Sequence, residues 1–223
     1  MRLTKNKSVS KMSTPKHLET EAEMNRQAFF NQAALTWDEH FVTTRLNDFL
    51  AQTVPKFGLK QGQRVLDLGT GTGVLIPFLL KEVGSSGHVT AVDFAEKMVE
   101  LCKAKNSNNP NVTVMMQQVE NLHFPSETFD AVTCFGLFPH LEDREKALKQ
   151  INRVLKMGGK LIIAHALSSQ EIKSHHHNAA SAVAHDELPK EPQMKELLRQ
   201  SGFVNVTITD EPGIYLCLSE KSA

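Results

Sequence analysis

Two clusters and one isolated acid carry residue types whose spacing could do chemistry. Gly69, Gly71 and Gly73 close the run VLDLGTGTG at residues 65–73, Asp93 ends the stretch HVTAVD, and five of the ten histidines fall between residues 165 and 185. Glycines at the point where a buried strand turns into a helix let the chain turn tightly and let a ligand approach the backbone with no Cβ in the way. Free amides at the start of the following helix can hold an anionic group. A dinucleotide site would read G-x-G-x-x-G, but here the third glycine comes one residue early and Val74 stands where that pattern needs it. An acidic residue at the end of the next strand, as Asp93 is, can accept both hydroxyls of a ribose that carries no 2′-phosphate.

The histidines allow three readings. His165, His175, His176, His177 and His185 could line a polar substrate loop with separate roles. His165 or His140 could be the base for a protic substrate, because imidazole titrates near operating pH. His140, His165, His176 and Asp186 could instead hold a divalent transition metal, although their spacing matches no compact ligand motif such as HExxH.

Positioning these residues requires alternating strands and helices. RVLDLG (64–69), HVTAVD (88–93), NVTVMMQQ (111–118) and FDAVTCF (129–135) read as buried strands, with helices VLIPFLLKEVG and AEKMVELCKAK between the first three. DREKALKQINRVLK places Ala147, Leu148, Ile151, Val154 and Leu155 on one helical face; Gly158 and Gly159 are expected to stop it, and KLIIAHA (160–166) follows as a fifth strand. Helix QMKELLRQSG and strands VNVTITD and IYLCLS, separated by a short turn, close the chain. Upstream, residues 21–58 predict a helical cap broken near Thr36, which could cap its second helix, whereas 1–20 read as a flexible polar terminus. The expectation is one domain over 21–223: an α/β fold with a Rossmann-like, seven-stranded, mostly parallel sheet, helices on both faces and one antiparallel strand near the C-terminus. Residues 167–190 form a His-rich insertion on its substrate side.

RVLDLGTGTG, VTAVDFAEKM, FPSETFDAV and RVLKMGGKLII resemble the successive signatures of class I S-adenosylmethionine (SAM)-dependent methyltransferases, across roughly residues 25–220. The resemblance is strongest to the group that includes the ubiquinone/menaquinone C-methyltransferases. It implies SAM as cofactor, with Asp67, Gly69, Thr70, Gly71 and Gly73 around its methionine moiety, Asp93 on its ribose and Phe94 against adenine. Similar enzymes carry an acid near the end of the third strand; here Gln118, followed by Val119, stands there, and its carbonyl can still accept from the adenine amine. Cys134, Phe135 and Gly136 would lie beside the transferring methyl. Phe29, Phe30 and Trp37 lie on helices that cover the SAM pocket in similar enzymes. HALSSQEIKSHHHNAASAVAHDELP also resembles a segment of a bacterial subgroup in which His165, His176 and Asp186–Pro189 have counterparts.

Composition narrows the partners. Lys+Arg and Asp+Glu both total 25, so no basic excess suggests nucleic acid, and CFGLFPH after the fourth strand is unlike the N-P-P-Y of amino-methylating DNA enzymes. No apolar run approaches the ~20 residues of a membrane span. Cys102, Cys134 and Cys217 are dispersed, which fits a reducing cytoplasm. A small-molecule methyl acceptor is the expectation; a non-catalytic SAM or metal sensor on the same fold is the alternative.

Overall fold

A computed structural model describes residues 26–177 and 182–222. The flexible terminus expected over 1–20, the start of the helical cap and residues 178–181 of the His-rich segment lie outside the described residues. Seven strands form one sheet: β1 (Arg64–Leu68), β2 (His88–Asp93), β3 (Val112–Met116), β4 (Phe129–Phe135), β5 (Leu155–His165), β6 (Phe203–Glu211) and β7 (Ile214–Lys221). Their order is β3-β2-β1-β4-β5-β7-β6, and β7 alone runs antiparallel, to both β5 and β6. The chain reverses direction of travel across the sheet after β3, so β1 and β4 lie side by side. Ligands of open α/β sheets bind beyond the strand ends at that switch point.

Helices cover both faces. Residues 26–33 (α1), Trp37–Phe41 (α2) and Thr44–Thr53 (α3) precede β1; Ile76–Val83 (α4), Glu96–Asn106 (α5), Arg144–Val154 (α6), Ser169–His177 (α7) and Glu191–Gln200 (α8) follow. The amphipathic reading of α6 holds for Ala147, Leu148, Ile151 and Val154, all fully buried against the face that also holds Leu66, Val132 and Leu161. A second cluster built on Leu75, Ile76, Leu79 and Val89 fills the opposite face. Burial on both faces explains why Val65, Leu66 and Leu68 of β1 are apolar without alternation.

Three local expectations are corrected. Gly158-Gly159 does not stop α6: the helix ends at Val154, and β5 begins at Leu155 and runs through both glycines. Gly158 takes φ +68°, and a Cβ on Gly159 would stand 2.8 Å from the carbonyl oxygen of Lys156, so this pair lets the strand bend beside a register shift in β4. Thr36 precedes α2 but makes no side-chain cap; a second break follows, where the Thr43 hydroxyl accepts from the Leu46 amide and starts α3. Finally, within the segment read as a polar, His-rich insertion, Ser169–His177 form a helix, α7, with Ile172 buried.

Candidate active site

The glycine turn stands between β1 and α4, at the switch point. Gly69, Gly71 and Gly73 all adopt positive φ, at 65°, 54° and 89°. Their roles differ. A Cβ on Gly69 would collide with the Leu137 side chain at 2.7 Å, and one on Gly73 would meet the Cys102 sulfur at 2.9 Å, so these two serve backbone and packing geometry. A Cβ on Gly71 would meet nothing closer than 3.9 Å, which leaves its outer side open to a ligand. The Gly71 amide donates to Asp93 Oδ2 at 2.9 Å, and the Ala95 amide donates to Asp93 Oδ1 at 2.9 Å. Burial pushes the Asp93 carboxyl above its ordinary range, opposed by these amide donors.

Asp67 lies under the same loop. It is buried, its Oδ1 accepts from Thr133 Oγ1 at 2.7 Å, and its Oδ2 has no hydrogen-bond partner. Desolvation raises its pKa to about 6. A buried carboxylate oxygen without a partner is costly, and this one lies beneath the glycine loop, next to the cavity that Asp67 borders.

Gly69, Thr70, Gly71, Asp67, Asp93 and Phe94 border one cavity of about 1270 Å³, and Gln118 and Val119 border it at the end of β3. A drug-sized ligand fills roughly 300–1,000 Å³, so this volume has room for a cofactor and a second molecule. Two residues expected at the cofactor do not reach it. The Cys134 side chain is buried in the core between Leu68 and Ile163, and the cavity wall there is Phe135, Gly136 and Leu137. Gly73 faces α5 and stays behind the wall. Both misplacements follow from strand alternation and helix packing, which a motif match does not resolve.

The histidines gather at the other end of the same cavity. His140, at the end of a short 3-10 turn after β4, His165, at the end of β5, and His175 and His176, on α7, all border it; His177 and His185 are exposed outside it. His140 Nδ1 lies 2.6 Å from Asp186 Oδ2, and His176 Nδ1 lies 2.6 Å from the Asp186 carbonyl oxygen. The two rings are 4.8 Å apart, centre to centre. Asp186 also takes a two-pronged contact from Arg26, at 2.6 and 3.1 Å, and Arg26 reaches Glu142 at 3.3 Å. The pKa of Asp186 stays below the usual carboxylate range: burial opposes ionisation, but the hydrogen bonds of His140 and Arg26 outweigh it. A carboxylate and a carbonyl can only accept, so Nδ1 of both rings carries the hydrogen.

His165 differs. It is fully enclosed, its Nε2 has no hydrogen-bond partner, and burial, reinforced by His140 and His176, lowers its pKa to about 3. Among the described residues no three His, Cys, Asp or Glu side chains are arranged to hold a metal ion. The four residues read as metal ligands share one end of the cavity, but Asp186 spends its carboxylate on Arg26 and His140. Sequence reading did not find Arg26; it precedes the described histidine partners by more than a hundred residues and has no local motif.

Sequence-remote contacts roof the cavity. Gln27 donates to the Phe94 carbonyl at 2.8 Å, the Asn31 side chain accepts from the Lys97 amide at 2.9 Å, and Thr72 Oγ1 donates to Asp38 at 2.6 Å. Phe30 meets both Phe94 and His140 edge-on, at 5.7 and 5.4 Å.

A methyltransferase-domain family model matches residues 65–159. The chain is 30% identical over 190 residues to a ubiquinone/menaquinone biosynthesis C-methyltransferase UbiE of Yersinia enterocolitica, spanning 72% of this chain and 74% of that relative. A SAM-dependent methyltransferase from Aquifex aeolicus is 27% identical, with a TM-score of 0.64 over 77% of this chain and 88% of its own. A phosphoethanolamine N-methyltransferase from Haemonchus contortus, solved with SAM, shares the fold at 18% identity and a TM-score of 0.66, over 79% of this chain and 53% of its own. No helix among the described residues is long and apolar enough to cross a membrane. On these likenesses the chain belongs to the class I SAM-dependent methyltransferases and uses SAM as its cofactor.

Proposed function

We propose that the enzyme methylates a small, largely apolar molecule carrying a proton-bearing O–H or N–H group, with His140 as the base. The observation that carries this reading is the continuity of one cavity from the glycine loop and Asp93 to His140, His165 and His176. In this reading residues 21–58 act as a cap, residues 167–190 as the acceptor-side insertion, and 21–223 as one domain. Phe94, Gln118 and Val119 hold adenine, Asp93 the ribose, and Asp67 Oδ2 the methionine ammonium.

SAM supplies a methyl carbon on a positively charged sulfur, already an activated leaving group. The chain's own task is therefore positioning, which can lower a barrier by roughly 7–11 kcal/mol in favourable cases. Phe30, Phe49, Phe135 and Leu137 line the space between the two ends and present an apolar surface to the acceptor. His140 takes the acceptor's proton, a contribution of typically ~10²–10⁴-fold. Asp186 is engaged with Arg26 and His140, which favours proton transfer over metal ligation at these histidines.

The test is turnover of methyl-labelled SAM with a fractionated small-molecule extract, followed by the His140→Ala variant. Transfer to a low-mass product by the parent enzyme, lost by at least ~10²-fold in the variant with SAM affinity retained, is the expected result. Label recovered on protein or RNA would overturn the acceptor class, and full turnover by His140→Ala would remove the base.

A further inference from the structure

Asp186 contributes two acceptors to the pocket from one residue, its carboxylate to His140 and its own carbonyl to His176. Free histidine favours the tautomer with hydrogen on Nε2; both of these rings are held in the other one, because neither oxygen can donate. His140 and His176 border the cavity, and their Nδ1 atoms are already engaged. What remains for a ligand on each neutral ring is the Nε2 lone pair. Partial burial lowers the pKa of His176, which favours its neutral ring.

We infer that Asp186 is a positioning residue that fixes both tautomers, so that His140 and His176 together form a two-acceptor subsite for a proton-donating group of the methyl acceptor. The subsite discriminates by donor content: a ligand bearing O–H or N–H is held on the imidazole lone pairs, and its methyl ether or tertiary amine is not. Leaving these half-buried acceptors unpaired is what disfavours the aprotic analogue. Arg26, through its two-pronged contact, pins the Asp186 carboxylate in the orientation His140 needs. This inference rests on the acceptor-pocket reading above, but its first test does not involve methyl transfer.

The experiment is nitrogen NMR of the histidine rings in the full chain, which separates the two neutral tautomers directly. His140 and His176 are expected to show hydrogen on Nδ1, and either ring found with hydrogen on Nε2 overturns the proposal. In Asp186→Ala, His140 is expected to move to the Nε2–H form while His176, bonded to a backbone oxygen, keeps Nδ1–H. An unchanged His140 would show that Asp186 does not set it. Asp186→Asn, which retains an acceptor oxygen and the side-chain shape, should restore the Nδ1–H form at least in part; a merely structural role for Asp186 predicts no such ring-specific pattern. Phenol is the binding probe, with anisole as its aprotic twin. Phenol, which has one proton to donate, should shift the Nε2 signal of at least one of the two rings in the parent protein and anisole should not; equal shifts, or none with phenol, overturn the donor-selective subsite. Failure of labelled transfer with intact Nδ1–H tautomers would count against the enzymatic base and leave the tautomer assignment standing.

Discussion

The Gly71 amide donates to Asp93 Oδ2 across 22 residues of sequence, at 2.9 Å, so the glycine loop and the acid at the end of β2 are parts of one cradle. While it fixes the loop, the carboxylate retains lone pairs that the proposed site uses for the ribose hydroxyls. Asp93→Asn should therefore weaken binding of both SAM and S-adenosylhomocysteine. Loss of a hydrogen bond to a charged acceptor is worth about 1.5–3 kcal/mol, or roughly ten- to a hundred-fold in affinity. Isothermal titration checks this, and equal affinities for parent and variant would dissociate Asp93 from the ribose.

Asp67, as the proposed partner of the methionine ammonium, should make cofactor binding pH-dependent. Its folded pKa of about 6 lies above the ordinary value of 3.8, so protonation favours the folded state. That stabilising contribution is complete below the ordinary value and is lost as pH rises through about 6. Binding should run the other way, because in the proposed site the methionine ammonium needs the ionised carboxylate. Affinity for S-adenosylhomocysteine should be flat above pH 6 and fall about tenfold per unit below it. Asp67→Asn should bind more weakly and lose this slope. A flat profile in the parent would show that Oδ2 meets no cationic group.

Much of this arrangement was legible in the sequence. The order of β1–β5, the antiparallel β7 and the pairing of the glycine loop with Asp93 follow from runs of apolar residues and from spacing. What was not legible depends on which way a side chain points or on distant partners. Cys134 alternates into the core while its neighbour Phe135 faces the cavity, and a run buried on both faces gives no periodicity to tell them apart. The Gly158-Gly159 pair looks like a helix stop because glycine serves both a C-cap and a strand bend. Arg26 and Asp186 meet over 160 residues, with no local pattern in either.

His165 carries a buried polar atom with no partner, and that costs stability. Replacing it with leucine removes the desolvation cost, about 1–3 kcal/mol, so His165→Leu should keep or raise the thermal midpoint. Methyl-acceptor turnover should fall, because the replacement also removes a neutral imidazole from the cavity wall. Calorimetry and turnover of the same preparation test both halves. A clearly lowered midpoint would mean that packing around the imidazole outweighs its unpaired nitrogen.

Chelation separates proton transfer from metal ligation at the same residues. Protein prepared without an affinity tag and dialysed against chelator should keep full turnover, and metal analysis should find well below one equivalent. The physical reason is local: Arg26 and His140 occupy the Asp186 carboxylate, so a metal would have to displace a two-pronged ion pair to recruit it. Near-stoichiometric metal whose removal abolishes turnover would reverse the assignment and make His140, His165 and His176 ligands.

The roof over the cavity should open more readily than the sheet beneath it. No residue of α2 is buried, and α1 and α2 hold to the body mainly through Gln27, Asn31, Asp38 and Arg26 and a small cluster of Ala34, Ala95 and Met98. Elements with so little buried apolar surface open locally at a small fraction of the global free energy. Backbone amides of Trp37–Phe41 should thus exchange with solvent far sooner than those of β1, β4 and β5. S-adenosylhomocysteine should slow them, since the Trp37 ring and Gly71 border the space it would fill. Arg26→Met should speed them further and leave the sheet unchanged, because it cuts only the links to Asp186, Glu142 and the His140 carbonyl. Exchange in α2 as slow as in the sheet without ligand, or indifferent to it, would mean that these helices are a fixed wall and that ligands enter elsewhere.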